Sequence, residues 1–142
     1  MNKKLITALV FAAMLATSTA KATTYGILVN TKKCNVTVYE QVQDNWKELG
    51  TVKCCVGHDG KTPKGTFKIG SKESSFMHEG KKYKYVSYFS GKCAFHTVPY
   101  ENGKYDTSSL GHKRSNGCIR LTEAAAKWIY KYCKRGTKVV IK

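Results

Sequence analysis

Short segments in which apolar and polar residues alternate make up most of the chain after residue 23. Alternation at every second position places the apolar side chains on one face of a strand. β-Branched and aromatic residues, which favour strands, are frequent in these segments. The pattern predicts strands over residues 24–30, 36–41, 46–56, 66–69, 83–89, 92–98 and 137–141. In the third of these, Cys54 is expected to be buried and Cys55 accessible.

Helical periodicity is convincing only between Glu123 and about Lys134, where Thr122 is a suitable N-cap and Gly136 a suitable stop. The apolar stripe of this helix consists of Ala125, Trp128, Ile129 and Tyr132. Residues 70–82 are polar and show no periodicity, so we expect a surface loop, with a mobile flap over a cleft as the alternative. Many short strands with one late helix and a final strand indicate a mostly β domain, a sandwich or barrel-like sheet.

The first 22 residues have the pattern of a signal peptide. Lys3 and Lys4 precede an apolar run from Leu5 to Leu15, and Ala20–Ala22 has the small-x-small form of a cleavage site. The run is too short to span a bilayer, and an amphipathic or buried helix is the alternative interpretation. We therefore expect export to the periplasm, the cell wall or the medium, with residues 23–142 as a single domain and no membrane span in the mature form.

The chain is strongly basic, with 25 Lys and Arg residues against 9 Asp and Glu and a net charge of +16. Without residues 1–22, which contain three lysines, the net charge is +13. Such a surface attracts polyanions, namely nucleic acid, anionic lipid or an acidic cell wall. Export argues against nucleic acid, and the lysines are scattered rather than grouped in a tract. The charge is compatible with a cell-wall substrate.

Six cysteines in an exported chain usually indicate disulfides. If Cys118 is reserved for chemistry, five remain, so at most two bridges can form and the sequence does not choose their pairing. In an organism that lives without oxygen, the alternative is that all of them stay reduced. The five are Cys34, Cys54, Cys55, Cys93 and Cys133. No Cys-x-x-Cys spacing occurs, and we expect neither a metal site nor a cofactor.

The segment with the most chemical information is Leu110–Leu121, LGHKRSNGCIRL. Cys118 directly follows a Ser-Asn-Gly turn and lies two residues before Arg120. Backbone N–H groups of the turn and the nearby cation would both favour the thiolate, the nucleophilic form. His96, 22 residues upstream in FHTVPY, is the candidate base. Taken alone, Asn-Gly is also a common hairpin turn, and His96 could be a half-buried structural histidine.

Together, these two motifs resemble the L,D-transpeptidase catalytic domain, the YkuD-like family, whose pattern is a His followed by a Ser-His-Gly-Cys-x-Arg loop. A third similarity is the TPKGTF segment, residues 62–67, which resembles the family's TPxGxF motif. The helix and last strand also occur in the family's order, so the resemblance covers nearly all of residues 25–142. One position departs from the pattern, since Asn116 replaces the usual histidine before Gly117.

The resemblance implies a cysteine acyltransferase that acts on peptidoglycan stem peptides, and we expect a monomer. Cys118 would cleave the bond before the terminal D-alanine of a tetrapeptide stem, form a thioester and pass the acyl group to an amine, giving a 3→3 cross-link. His96 would be the base, oriented by a backbone carbonyl near Thr97, and N–H groups near Gly117 and Cys118 would bind the oxyanion.

The remaining residues of the motif would support this site. Arg120 would hold the loop or bind a stem carboxylate, Ser115 would hydrogen-bond within the site, and Asn116 would shape the turn. His112 is the rival base, whereas His58 and His78 are assigned no role. Two alternatives remain, an L,D-carboxypeptidase that uses water as acceptor and a non-enzymatic basic protein that binds the cell wall.

Overall fold

The fold was obtained as a computed structural model that describes residues 22–142. The predicted signal peptide lies outside the described residues except for Ala22. A 3₁₀ turn covers His58–Gly60 and the helix α1 covers Glu123–Tyr132. The strands are β1 (Tyr25–Asn30), β2 (Asn35–Val42), β3 (Asn45–Lys53), β4 (Val56–Gly57), β5 (Gly65–Lys68), β6 (Lys72–His78), β7 (Lys81–Ser90), β8 (Cys93–Thr97), β9 (Tyr100–Glu101), β10 (Lys104–Tyr105), β11 (Lys113–Ser115), β12 (Ile119–Leu121) and β13 (Lys138–Ile141).

The strands form two larger sheets and one small one. The first sheet has the order β3-β2-β1-β13-β5, in which only the β1–β13 pair is parallel. The second has the order β10-β9-β7-β8-β12, with β6 added beside β7, and its β8–β12 pair is parallel. The short strands β4 and β11 form a separate parallel pair. This confirms the predicted mostly β fold with mixed sheets, one late helix and a final strand.

The helix and both larger sheets enclose the core. Thr122 caps α1, since its hydroxyl accepts the Ala125 N–H at 3.3 Å. The helix buries Ala126 and Ile129. The largest fully buried apolar side chains are Phe95, Ile69, Ile119, Leu121, Ile129, Val29, Val36, Val56, Val86, Val98 and Val139. The described residues contain no helix of the length and hydropathy that a bilayer span requires.

Three expectations about local structure are wrong. Most of residues 70–82 is not a loop, because β6 pairs antiparallel with β7 from Lys72 to His78. The predicted strand over residues 46–56 is interrupted at Cys54 and Cys55. Cys55 is 0% exposed rather than accessible, because its backbone pairs with that of Arg120 in both directions at 2.9 Å.

No disulfide forms in the described residues, which include all six cysteines. Four of the thiols, those of Cys34, Cys54, Cys55 and Cys133, are buried. Cys93 and Cys118 are half-buried. The expected bridges are therefore absent from this structure, and the buried cysteines pack as small apolar side chains.

Candidate active site

A cleft of about 510 Å³ opens at the edge of the second sheet, between β6–β7 and the turn before β12. Five of the residues that the sequence assigns to the site line this cleft, namely His96, Ser115, Asn116, Cys118 and Arg120. The complete lining is Phe76, His78, Tyr83, Tyr88, Lys92, Cys93, Ala94, His96, Ser115, Asn116, Cys118 and Arg120.

Two parallel strands bring the candidate nucleophile and base together. In the β8–β12 pair, Arg120 lies opposite His96 and Ile119 opposite Phe95. Cys118 immediately precedes β12, so the strand register carries it to the same cleft as His96 although 21 residues separate them in sequence. The Cys118 thiol donates to the Lys92 carbonyl at 3.4 Å.

The turn that carries Cys118 is held by two buried hydroxyl groups. Ser115 Oγ accepts the Gly117 N–H at 3.1 Å and donates to the Cys118 carbonyl at 2.6 Å. Thr62 Oγ1 donates to the Gly117 carbonyl at 2.9 Å and accepts the Gly57 N–H at 2.8 Å. The Gly117 N–H already donates to Ser115 Oγ, so it is not free to bind an oxyanion. Gly117 supports the turn instead.

Two glycines let the chain pack closely at this turn. A Cβ on Gly57 would lie 2.8 Å from the Thr62 nitrogen and 3.0 Å from Gly117 Cα. Gly117 has φ +132°, and a Cβ there would lie 3.0 Å from Cys93 Sγ. Neither position has room for a side chain, so the loop after β4 lies directly against the turn of Cys118.

His96 is 3% exposed and has a defined ring orientation. Its Nδ1 donates to the Thr97 carbonyl at 2.8 Å, which leaves Nε2 as the acceptor. The rings of Phe76 and Tyr83 pack against the imidazole at centroid distances of 5.3 and 5.0 Å. Burial lowers the pKa of His96 to about 4; the Arg120 cation adds to this, and the bond to Thr97 opposes it. The imidazole is therefore neutral at neutral pH.

The surroundings of Cys118 differ from the sequence-based expectation of a thiolate. Burial raises the pKa of the Cys118 thiol, and Cys93 adds to this. A hydrogen bond with the Ala94 backbone and the charge of Arg120 lower that pKa without reversing its direction. In this structure the site therefore holds a neutral thiol and a neutral imidazole, because burial disfavours the charged form of both groups.

Arg120 supports the site through its backbone and leaves part of its side chain unpaired. Its N–H and carbonyl bond the backbone of Cys55. Its guanidinium lies 5.8 Å from the Tyr83 ring centroid. Nε is buried without a hydrogen-bond partner among the described residues. The two roles expected for this side chain, holding the loop and binding a carboxylate, both remain open.

Asn116 is exposed and contacts a histidine from a different loop. His58 Nε2 lies 3.2 Å from Asn116 Oδ1, and His58 Nδ1 lies 2.9 Å from Asp59 Oδ2. The sequence interpretation gave His58 no role. By contrast, the rival base His112 is exposed and does not line the cleft, whereas His78 does.

Sequence reasoning missed several residues of the site. Thr62 belongs to the TPKGTF motif, whose match could have singled it out, but its contact with Gly117 depends on the fold. Phe76 and Tyr83 belong to the hairpin β6–β7, and no local pattern connects them with His96. Within residues 22–142, no group of three or more His, Cys, Asp or Glu side chains is placed to bind a metal ion.

Comparison with known proteins gives one family. Residues 24–141 match the family model described as the L,D-transpeptidase catalytic domain, YkuD. A curated protein of Bacillus subtilis (strain 168), named Putative L,D-transpeptidase YciB, is 40% identical over 93 residues, which are 58% of this chain and 47% of that protein.

Solved structures share the fold. A fused Zn-dependent amidase/peptidase/peptidoglycan-binding domain-containing protein from Clostridium acetobutylicum ATCC 824 is similar with a TM-score of 0.70 and 27% identity, over 100% of this chain and 63% of that one. L,D-transpeptidase 3 from Mycobacterium tuberculosis, in complex with a faropenem-derived adduct, has a TM-score of 0.68 and 19% identity, over 84% of this chain and 60% of that one. The chain spans about half the length of the curated relative and about three fifths of these two structures.

Proposed function

Because the chain belongs to the family of L,D-transpeptidase catalytic domains (YkuD), we propose that it is an exported cysteine acyltransferase of peptidoglycan. Its substrate would be the tetrapeptide stem, cleaved before the terminal D-alanine. One observation carries the proposal: Cys118, in the turn before β12, and the neutral, oriented imidazole of His96, on the adjacent strand β8, line the same cleft. Cysteine acyl-transfer enzymes combine a thiol with a base that a third group orients.

The first step needs both groups in the neutral forms that burial favours. Nε2 of His96 takes the thiol proton while Cys118 Sγ attacks the carbonyl carbon of the third stem residue. The bond from Nδ1 to the Thr97 carbonyl stabilises the imidazolium that forms. The N–H of Cys118 is the backbone donor that we assign to the oxyanion, since Ser115 occupies that of Gly117.

Collapse of this oxyanion intermediate forms the thioester: the bond to the D-alanine nitrogen breaks, that nitrogen takes the proton from His96, and D-alanine leaves. The second step resolves the thioester. An acceptor amine then attacks the thioester carbonyl and gives its proton to His96, and Cys118 Sγ departs and is reprotonated. With a stem side-chain amine as acceptor the product is a 3→3 cross-link; with water it is a tripeptide stem.

The charges around the cleft suit a substrate with carboxylates. Lys92 and Arg120 line it, and their positive charges would attract a stem carboxylate. The net charge of +13 without residues 1–22 favours approach to an anionic wall. We propose a monomer that acts outside the cytoplasm, consistent with the signal-peptide pattern of residues 1–22.

The test is analysis of the products. Purified protein is incubated with disaccharide-tetrapeptide stems, and the products are separated and identified by mass spectrometry. We expect free D-alanine and 3→3 dimers from the wild type and neither from Cys118→Ser. Tripeptide monomers alone would replace the transpeptidase assignment by a carboxypeptidase. Binding to the wall without turnover would overturn the enzymatic proposal.

A further inference from the structure

A contact between two loops connects His58 with the turn of the nucleophile. His58 begins the 3₁₀ turn that follows β4, and β4 pairs parallel with β11, which leads into residues 115–118. Both loops therefore leave the same end of one strand pair. Gly57 lets them pack closely, since a Cβ there would lie 3.0 Å from Gly117 Cα.

The ring of His58 has hydrogen-bond partners on both sides. The Asp59 carboxylate lies 2.9 Å from Nδ1 and orients the ring with Nε2 toward the side-chain amide of Asn116, 3.2 Å away. The bond from His58 is the largest cause of a lowered pKa of Asp59, which is therefore a carboxylate at neutral pH. His58 is 38% exposed and does not line the cleft. Among the described residues, the hydrogen bond with Asn116 is the one that joins the His58 ring to the turn of Cys118.

The contact between His58 and Asn116 lies on the exposed side of the turn, whose buried side is already hydrogen-bonded. Ser115 and Thr62 bind the backbone of Gly117 and Cys118 from the buried side. Asn116 is the exposed residue of the same turn, and its side chain contacts His58. Fixing that side chain restricts the backbone that places Cys118 Sγ and the Cys118 N–H.

We propose that His58, oriented by Asp59, is a positioning residue that acts through Asn116 on the turn of Cys118. The usual Ser-His-Gly-Cys pattern of the family has an imidazole at the position of Asn116. In this chain Asn116 occupies that position, and its side-chain amide contacts the imidazole of His58, which belongs to a different loop. The inference rests on the proposed acylation of Cys118.

The test measures acylation of Cys118 by a carbapenem, followed by intact mass, with the maximal rate and the half-saturating concentration determined separately. His58→Ala is expected to lower the maximal rate about tenfold, the effect of losing one hydrogen bond that fixes the reacting geometry. The half-saturating concentration stays unchanged, because His58 does not line the cleft. His112→Ala, which removes an exposed histidine outside the cleft, keeps the wild-type rate.

Two double variants separate positioning from a general structural effect. If both residues act through one contact, His58→Ala with Asn116→Ala is no slower than the slower single variant. His58→Ala with Asn116→His returns an imidazole to the turn and recovers most of the rate. The inference would be overturned if the rate losses of the two single variants multiply in the first double variant, or if the second double variant recovers no rate.

The experiment also separates this inference from the proposed function. A wild type that is not acylated at Cys118 would refute the proposed function and remove the basis of the inference. A wild type that is acylated, with His58→Ala acylated at the same rate, would refute the inference alone. Thermal unfolding of each variant identifies any loss of rate that comes from a loss of fold.

Discussion

At the scale of single residues, burial sets the protonation of the two reacting groups. His96 and Cys118 lie in a partly closed cleft, and in both cases desolvation is the largest influence on the pKa. The pKa of the imidazole falls and that of the thiol rises, so both groups are neutral over a wide range of pH. In the proposed mechanism, proton transfer therefore accompanies attack on the substrate and does not precede it.

The lowered pKa of His96 fixes where acylation fails in acid. Protonation of Nε2 removes the base, and for this group it occurs near the folded-state pKa of about 4 and not near 6.5. We expect the acylation rate of Cys118 at low carbapenem concentration to be independent of pH between about 5 and 7 and to fall below that range. Stopped-flow or mass-spectrometric rates across pH measure this limb. A loss of rate centred near 6.5 would show that His96 is solvated or is not the base.

The identities of the candidate residues could be predicted from sequence, but their electrostatics could not. Cys118 and His96 follow from two short motifs, and the structure places both in one cleft. Arg120 and the turn are expected to lower the pKa of Cys118, but burial, which depends on the whole fold, raises it. The contact between His58 and Asn116 joins residues 58 positions apart and has no local signal.

At the scale of secondary-structure elements, the hairpin β6–β7 forms one wall of the site. Phe76 of β6 stacks on Tyr83 of β7 at a centroid distance of 5.1 Å, and both rings pack against His96. The hairpin therefore keeps water from the imidazole. This is the segment for which the sequence predicted a surface loop.

Removing the Phe76 ring is expected to return part of the solvent to His96. In Phe76→Ala the pKa of His96 rises toward its ordinary value, and the acid limb of the acylation rate moves up by about one pH unit. The measurement is the midpoint of that limb, which does not depend on how far the substitution weakens substrate binding. Met77→Ala is the matched control, since the neighbouring Met77 is 63% exposed and outside the cleft lining. An unchanged midpoint in Phe76→Ala would mean that the hairpin does not desolvate His96.

The sequence-based predictions of strands are wrong where pairing with a neighbouring strand, and not the local pattern of residues, determines the structure. Long alternating segments gave β1, β2, β7 and β8 nearly within their observed bounds. Strand β6 has few apolar residues and is stabilised by its ladder with β7. Strands β4, β11 and β12 are two or three residues long, too short for alternation to reveal. These short strands are the ones that position the turn of Cys118.

At the scale of the whole molecule, the fold buries four of the six thiols and leaves two at the cleft. Four cysteines are buried, and Cys93 lines the cleft beside Cys118. Burial also raises the pKa of the Cys93 thiol. Cys93 lies on β8, three residues before His96, whereas Cys118 lies in the turn before the neighbouring strand β12. We propose that Cys118, among these six free thiols, is the nucleophile.

The most direct test of that claim is covalent labelling of the folded protein with a carbapenem. Intact mass and peptide mapping then give the number and position of the adducts. We expect one adduct per chain, located on the peptide that contains Cys118. It is absent from Cys118→Ala and retained in Cys93→Ala. An adduct that persists in Cys118→Ala, or that maps to Cys93, would contradict the assignment of Cys118 as the nucleophile.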